Sequence, residues 1–310
     1  MSQMLSGTQP VKKPMNARLK RALKGIGLVA AVMAFLAWFL GPILWAFLES
    51  ITPQAGILSM PPHWLPTDAT LANYISLLFS NTAGSSSGVN IQLAFPIGYY
   101  FREGLLNSVL YASASTIIIL LISSLAGYSF ARMNFRGKSV LFVLLLFNLS
   151  VPTISTLIPL FKEIEYFGLF GTFYALILLY SSRVSLPTWI LRNFFETIPH
   201  EIEESAMIDG CSRIGALFRV VLPVARSGVI AVAIIAFLTT WDDFLVAVIF
   251  ANSPSIQPFP VIITDFATEQ TTLTGLMFAA AILSFIVPMI IAFALQKYLI
   301  TGLTSGSLKG

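Results

Sequence analysis

The chain has 310 residues, of which 56% are hydrophobic and only 10% are Asp, Glu, Lys or Arg. Ordinary soluble domains carry about 25% charged residues and about 45–50% apolar ones. The composition therefore excludes intrinsic disorder, argues against a soluble enzyme and predicts an integral membrane protein. The formal net charge is only +4, so the placement of the charges is more informative than their sum.

Six apolar stretches are long enough to cross a bilayer, because a membrane-spanning helix needs about 20 mostly apolar residues. In chain order they are Gly25–Leu48, Gly104–Phe130, Val140–Phe161, Gly171–Leu191, Ser227–Phe250 and Gly275–Leu299. The first is too long for a cleavable signal peptide and lacks a small-residue cleavage site. An all-α fold with six transmembrane helices, contained in a membrane domain of residues 25–300, is expected.

The Lys and Arg residues outside the spans are distributed very unevenly. Fifteen flank one side of the six spans, whereas only Arg102 and Lys162 flank the other. Cytoplasmic connections carry the excess of these residues, so both termini are predicted to be cytoplasmic. The basic N-terminal segment, residues 1–24, is expected to rest on anionic lipid headgroups rather than to bind nucleic acid. Residues 301–310 form the expected cytoplasmic tail.

Two connections are too long to be simple turns. Residues 49–103 are predicted to be extracytoplasmic; they begin with a Pro-rich stretch and contain a Gly/Ser-rich segment at 80–90 that is typical of a flexible loop. Residues 192–226 are predicted to be cytoplasmic and carry the most informative motif of the chain.

The first half of the 192–226 loop is predicted to form a short helix. Thr197 is suited to cap its N-terminus, and Pro199 fits its first turn. Three glutamates suit the positive end of the helix dipole: Glu201, Glu203 and Glu204. Near-helical spacing groups Ile198, Ile202 and the Ser205/Ala206 pair on an apolar flank, and Glu201, Glu204 and Ile208 on an acidic flank.

A bend and a second short helix are predicted to follow. Gly210 is placed to end the first helix in the left-handed conformation. Ser212 can cap the second helix, which should end at Leu222 because Pro223 breaks it. An amphipathic unit of this kind rests on a lipid surface or docks on a protein. Interfacial helices usually carry Lys and Arg on their polar face, so an acidic one favours a protein partner.

The loop sequence EESAMIDGCSRIGALFRVVLP resembles the EAA loop of permease subunits of binding-protein-dependent ABC importers. The matching residues are Glu204, Ala206, Asp209, Gly210, Phe218, Leu222 and Pro223. Ser205 departs from the alanine of the usual pattern. The segment TTWDDFLVAVI is similar to the WNEF segment of carbohydrate-uptake permeases, and the tail GLTSGSLKG resembles the ending of the smaller, maltose-type permeases.

This resemblance implies a type I ABC importer permease fold and a role as one subunit of a complex. The implied partners are a second homologous permease, two ATPase subunits, an extracytoplasmic solute-binding protein and the membrane lipid. ATP and Mg would be bound by the ATPase, with no cofactor in this chain. The residues implied to dock on the ATPase are Glu201, Glu204, Ser205, Ala206, Asp209 and Gly210.

The sequence contains only incomplete matches to catalytic and metal-binding motifs. The triplet Gly137–Ser139 lacks the earlier glycine of a phosphate-binding loop, because Arg132 occupies that position. Ser86 lies in a formal G-x-S-x-G pattern, but in a Ser-rich tract rather than a strand-to-helix turn. One cysteine and two histidines cannot build a zinc site. The chain is therefore expected not to be an enzyme and to have no metal site.

Ionisable residues within spans are candidates for function. Asp242 and Asp243 lie beside Trp241 in span five, and together they offer acids for hydroxyl groups and an aromatic face for a sugar ring. Contact with a sister subunit or with bulk solvent in the cavity is an equally open alternative for these residues. Asn148 in span three, near Pro152, predicts a kinked, partly polar helix, and it completes the predicted substrate pathway with Trp241, Asp242 and Asp243. Arg183 in span four is expected to reach the interface, to pair with an acid of the partner, or to line the pathway.

The predicted function is ATP-driven import of a sugar, oligosaccharide or related polyol across the cytoplasmic membrane by alternating access. The alternatives are an importer of another solute, such as glycerol phosphate or an amino-acid-like compound, and a stand-alone channel or secondary transporter. The two acids of span five argue against an anionic solute, because a phosphate would meet like charge.

Overall fold

The structure is a computed structural model that describes residues 17–61, 63–66, 68–79, 97–267 and 273–304. The predictions for residues 1–16, for the Ser-rich stretch 80–90 and for residues 305–310 lie outside the described residues. The chain divides into two compact units, Met1–Leu48 and Glu49–Gly310.

The described residues of the first unit all lie in one long helix, α1 (Ala17–Ser50). Its apolar side chains are exposed, with Trp38 at 79% and Leu28 at 68%. Pro42 lies inside the helix. A helix that is apolar on all sides suits lipid rather than water, in agreement with the first predicted span.

The second unit begins with two short helices, α2 (Gln54–Ile57) and α3 (Ala72–Phe79), and then the long α4 (Ile97–Arg132). The remaining predicted spans, apart from the last, are divided into shorter helices. These are α5 (Lys138–Phe147), α6 (Thr153–Tyr166), α7 (Phe173–Ser181), α8 (Ser185–Glu196), α12 (Arg226–Trp241) and α13 (Leu245–Phe250).

Three short helices belong to the connections, and one long helix closes the described chain. The loop between α8 and α12 contains α9 (His200–Ile208), α10 (Arg213–Ala216) and α11 (Leu222–Val224). The connection after α13 contains α14 (Phe259–Ile262), and the last helix is α15 (Thr274–Thr304).

Three continuous helices among the described residues are long and apolar enough to span a membrane. They lie within α1, α4 and α15 and cover Lys24–Ser50, Gly98–Arg132 and Thr274–Gln296. Two bent pairs pass the same test together: Lys138–Ser150 with Thr153–Tyr166 at 102°, and Arg213–Val224 with Arg226–Trp241 at 86°. Length and composition thus give three to five spans. The kink expected near Asn148 is confirmed by the first pair.

Helix α4 is the centre of the second unit. Its main neighbours are α3, α7, α8, α12 and α14. Gly127 permits a close approach to α8, because an added Cβ would lie 3.1 Å from the backbone nitrogen of Arg192 and 3.2 Å from the carbonyl oxygen of Thr188. The last turns of α4 and the connecting loop after α8 share one apolar cluster that includes Tyr128, Phe195 and Leu217.

Candidate functional site

Helix α9 is the first element of the predicted cytoplasmic loop. It begins after Pro199, whose backbone is extended, and it carries Glu201 and Glu203 in its first turn, where they favour the positive end of the helix dipole. The predicted cap by Thr197 is wrong. Helix α8 extends to Glu196, and the Thr197 hydroxyl donates backwards to the carbonyl oxygen of Phe194 at 2.7 Å, so it ends one helix instead of starting the next.

The glycine bend after α9 is confirmed. Gly210 has φ +89°, a left-handed conformation that a side chain disfavours. The backbone N–H of Cys211 donates to the carbonyl of Ala206 at 3.0 Å, and that of Gly210 donates to Met207 at 3.1 Å. This pair of bonds is the Schellman arrangement, which satisfies the free carbonyls at a helix end.

The second half of the loop starts as predicted and ends differently. The Ser212 hydroxyl accepts the N–H of Gly215 at 3.1 Å and caps α10. The helix does not stop at Leu222 but widens into a π-helical turn, Leu217–Val221, and runs through Pro223 to the end of α11. Because proline lacks an N–H and its ring crowds the carbonyl four residues earlier, a wider turn accommodates it. The sharp corner follows at Ala225.

The side of α9 that faces away from the protein mixes acidic and apolar residues. Its exposed members, here called the α9 outer face, are Glu201, Ile202, Glu204, Ser205, Ile208 and Asp209. Ile208 is 86% exposed. Ile208 shares this surface with Glu201 and Glu204, as the spacing predicted, whereas Ile202, expected on the apolar flank, is exposed beside them. Ala206 is half-buried, and Gly210 is exposed at the bend.

The inner side of α9 is held by a buried ion pair. Glu203, only 6% exposed, accepts from the Tyr128 hydroxyl, and its second oxygen lies 3.1 Å from Nε of Arg132. The same guanidinium donates to the carbonyl oxygen of Ile198 at 2.6 Å and contacts Nε2 of His200 at 2.9 Å. Sequence reasoning treated Glu203 only as a partner of the helix dipole, and Arg132 as one of the cytoplasmic basic residues and as the residue that breaks the phosphate-binding-loop pattern. Both are contacts between α4 and α9.

A second polar region forms where three of the predicted spans are interrupted. The breaks lie between α5 and α6, between α7 and α8, and between α12 and α13. Broken helices leave backbone groups without intrahelical partners, which is tolerated at membrane depth only inside protein or beside a water-filled cavity. Such breaks are typical of transporter binding sites.

An ion pair connects two of these breaks. Arg183 follows α7, and its guanidinium lies 2.5 Å from the carboxylate of Asp243, which follows α12. The other Asp243 oxygen accepts the N–H of Val246 at 2.9 Å, so the same carboxylate caps the start of α13. Arg183 also lies over the Tyr180 ring, 5.3 Å from its centre. Arg183 is thus paired within this chain, whereas the expected pairing was with an acid of the partner.

A cavity of about 440 Å³ lies beside this pair. Its polar lining comes from Asn148, Thr153, Ser155, Thr156, Ser182 and Arg183. Apolar residues from the same helices, including Leu160 and Phe250, complete the wall. The hydroxyl of Ser185 donates to the Asn148 amide oxygen at 3.3 Å, across the break in the neighbouring span. The cavity thus combines hydroxyl, amide and guanidinium groups with apolar surface.

The four residues predicted for a substrate pathway are separated by the structure. Asn148 lines the cavity, and Asp243 reaches it through Arg183. Trp241 is only 1% exposed, because its ring packs against Phe237 and Phe259, with ring centres 5.8 and 5.0 Å away. The expected aromatic face for a sugar ring is therefore not available from Trp241. Asp242 is exposed and lies outside the cavity lining.

No metal centre is formed within the part of the chain that the structure describes, where no group of three or more His, Cys, Asp or Glu side chains is placed to hold an ion.

Long apolar helices, a bent loop with an outward acidic helix, and a polar cavity among broken spans define a helical membrane transport protein.

The chain belongs to the family of binding-protein-dependent transport system inner membrane components, whose model matches residues 119–305. It is therefore a multi-pass component of the inner membrane, and the resemblance read from the loop is confirmed. It is 35% identical over 271 residues to the sulfoquinovosyl glycerol transport system permease protein SmoH of Agrobacterium fabrum, covering 87% of this chain and 88% of that protein.

Other relatives agree. The trehalose/maltose transport system permease protein MalG of Thermococcus litoralis is 32% identical over 294 residues, covering 94% of this chain and 98% of that protein. A solved chain of a bacterial ABC transporter involved in the import of the acidic polysaccharide alginate superposes with a TM-score of 0.75 at 20% identity, covering 92% of this chain and 99% of that chain. At that identity the likeness establishes the fold.

Proposed function

We propose that this chain is one permease subunit of an ATP-driven importer that moves a sugar, oligosaccharide or related polyol into the cytoplasm by alternating access. The observation that carries the proposal is the α9 outer face, a short acidic helix presented to solvent and ended by a glycine bend. The chain hydrolyses nothing itself. ATP and Mg are bound by two copies of a separate ATPase, and a second homologous permease and an extracytoplasmic binding protein complete the complex.

The α9 outer face is the ATPase-docking surface in this proposal. Glu201, Glu204 and Asp209 offer carboxylates to basic residues of the ATPase, while Ser205 and Ala206 are small enough for close contact. Gly210 supplies the bend. Exposed Ile202 and Ile208 add apolar area, which an interface needs at its centre and which a purely electrostatic contact lacks. This mixture suits a cleft on a protein better than a lipid surface.

The membrane topology follows from counting each interrupted span once. Helices α1, α4 and α15, with the pairs α5–α6, α7–α8 and α12–α13, make six spans with both termini in the cytoplasm. The segment Arg213–Val224 is assigned to the cytoplasm, because its Arg213 and Arg219 are exposed and charged side chains are costly inside a bilayer. The permease domain is then residues 25–300, with a lipid-facing basic segment before it and a short tail after it.

The solute class is supported by the chemistry of the cavity and by the relatives. Hydroxyl and amide groups, together with an Arg183–Asp243 pair of zero net charge, suit a neutral molecule with many hydroxyl groups. The named relatives carry carbohydrate derivatives in their descriptions. Asn148 and Arg183 are the residues assigned to the solute pathway, with Asp243 positioning Arg183. Asp242 and Trp241 do not line the cavity and are not assigned to the pathway.

The test is affinity purification of the tagged full-length chain from its native membrane in mild detergent, followed by mass spectrometry and solute-uptake assays. A second permease, an ATPase and uptake of a radiolabelled sugar or polyol are expected. Glycerol phosphate and an amino acid serve as competitor solutes. Recovery of the chain alone, with uptake that is indifferent to ATP, would instead identify a stand-alone transporter or channel.

A further inference from the structure

Helix α4 is bonded at its C-terminal end to the docking helix. Tyr128 and Arg132 lie one turn apart and both engage the Glu203 carboxylate, and Arg132 also binds the Ile198 carbonyl that precedes α9. The side chains of Arg132 and Glu203 are only 3% and 8% exposed. A buried, multiply bonded pair of this kind resists separation, because either charge left alone would be uncompensated.

The N-terminal part of α4 is bonded to a different connection, residues 251–259 between α13 and α14. The Asn107 amide donates to the carbonyl oxygens of Ser255 and Gln257, both at 3.0 Å. The Tyr111 hydroxyl donates to the Ile256 carbonyl at 2.7 Å, and the N–H of Phe259 donates to the hydroxyl of Ser108 at 3.0 Å. Four residues between 255 and 259 are therefore bonded to one short stretch of α4.

The helix between these two anchors is unbroken. Asn107 and Arg132 are separated by about 38 Å along the axis at about 1.5 Å per residue, and both lie in one continuous helix, Ile97–Arg132. The neighbouring α5–α6, α7–α8 and α12–α13 each contain a break that can absorb movement. Helix α4 has none, so a displacement of one end must be carried to the other.

We propose that α4 is the rod that transmits movement of the docking helix to residues 251–259 on the opposite side of the membrane. Glu203, Arg132 and Tyr128 position one end of the rod, and Asn107 positions the other. The inference rests on the proposed function, in which the α9 outer face follows the ATPase. ATPase closure would then alter the extracytoplasmic connection directly, through covalent helix and side-chain bonds, rather than only through rearrangement of the broken spans.

The experiment uses the whole complex purified with the tagged chain and reconstituted in lipid nanodiscs. Hydrogen–deuterium exchange of residues 251–259 is measured with and without Mg-ATP plus vanadate, which traps the closed ATPase. In the unmodified complex the trapped state should change exchange of this segment by roughly 5-fold or more, the lower end of typical coupling between distant sites. The amide of Phe259, bonded to Ser108, is the most direct reporter.

Two variants remove bonds at the opposite ends of α4. Glu203→Gln removes the ion pair with Arg132 at nearly constant size, and Asn107→Leu removes two of the four bonds to the connection and leaves those of Tyr111 and Ser108. Glu203→Gln should abolish the exchange response and Asn107→Leu should at least halve it, while the amounts of co-purified ATPase and vanadate-trapped nucleotide stay unchanged. The matched control is Glu196→Gln, because its partner Arg192, 2.7 Å away, lies on the same helix, so that pair connects nothing across elements. The control should keep the response.

A full response in both variants would overturn the proposal, since the movement would then travel by another route. Loss of the ATPase from Glu203→Gln, with the unmodified complex intact, would also overturn it, because Glu203 would then serve docking alone. If no ATPase co-purifies with the unmodified chain, the proposed function is wrong, and so is the proposal for α4 that rests on it. If the Glu203→Gln chain does not fold, Asn107→Leu, at the distant end of α4, decides the question.

Discussion

The Arg183–Asp243 pair allows the energetics of the cavity to be tested by a double-mutant cycle. Asp243→Asn removes the charge but keeps an oxygen that can accept the N–H of Val246, so the start of α13 stays capped. Arg183→Met removes the opposite charge and keeps a long side chain. Either single change leaves one charge without its partner beside the cavity, whereas the double change leaves none.

The expected magnitude follows from burial. Exposed ion pairs contribute about 0–1 kcal/mol, and breaking a fully buried pair costs about 3–5 kcal/mol. Arg183 and Asp243 have side chains that are 31% and 13% exposed, between these limits. The free energy of unfolding of each single variant should therefore fall by about 2 kcal/mol, which is about a 30-fold change in the unfolding equilibrium. In the double variant it should fall by clearly less than the sum of the two single losses.

The assay is reversible unfolding of the purified chain in mixed detergent micelles on titration with sodium dodecyl sulfate, followed by tryptophan fluorescence. The changes in unfolding free energy caused by mutations at independent sites add to within about 0.3–0.5 kcal/mol. Additivity within that range would refute the reasoning, because it would show that the two charges do not stabilise each other. Solute uptake by the same variants separates a binding role from a structural one, since Asp243→Asn with normal stability and poor uptake would assign the pair to the pathway.

Three further predictions concern the docking loop and helix α4. Gly210→Ala should lower the free energy of unfolding by about 1–2 kcal/mol, because φ +89° is unfavourable for a residue with a side chain. The amount of co-purified ATPase should fall as well, and an unchanged amount would contradict the role of the bend in docking. Glu204→Lys should leave the chain folded but release the ATPase, whereas Glu165→Lys, also exposed but outside the loop, should not. Tyr111→Phe should lower stability by about 1 kcal/mol through loss of the bond to Ile256, and an unchanged unfolding midpoint would exclude that bond.

The local features of the docking loop were predictable because their causes lie within a few residues. Gly210 ends a helix because only glycine accepts the left-handed conformation at little cost, and Ser212 caps the next because its hydroxyl reaches the N–H of Gly215. Thr197 shows the limit of the same reasoning. A threonine beside a helix end serves the preceding helix or the following one, and the sequence does not say where the preceding helix stops.

The contacts that join distant segments were not predictable in the same way. Glu203 looks like its neighbours Glu201 and Glu204, and only the packing of α9 on the end of α4 decides that it is the buried one, paired with Arg132. For Trp241, likewise, the sequence shows only that it lies next to two acidic residues. The rotation of α12 turns its ring toward Phe259 and the core, away from the cavity.

The sequence by itself determined the membrane class, the approximate spans, the family and the glycine bend, because these depend on composition, on apolar run length and on bonds between near neighbours. The tertiary structure decided which charges are paired, where the interrupted spans enclose a cavity, and that α4 is bonded at both ends. Such features require side chains far apart in the chain to meet, and a long-range meeting depends on how helices pack rather than on any local pattern.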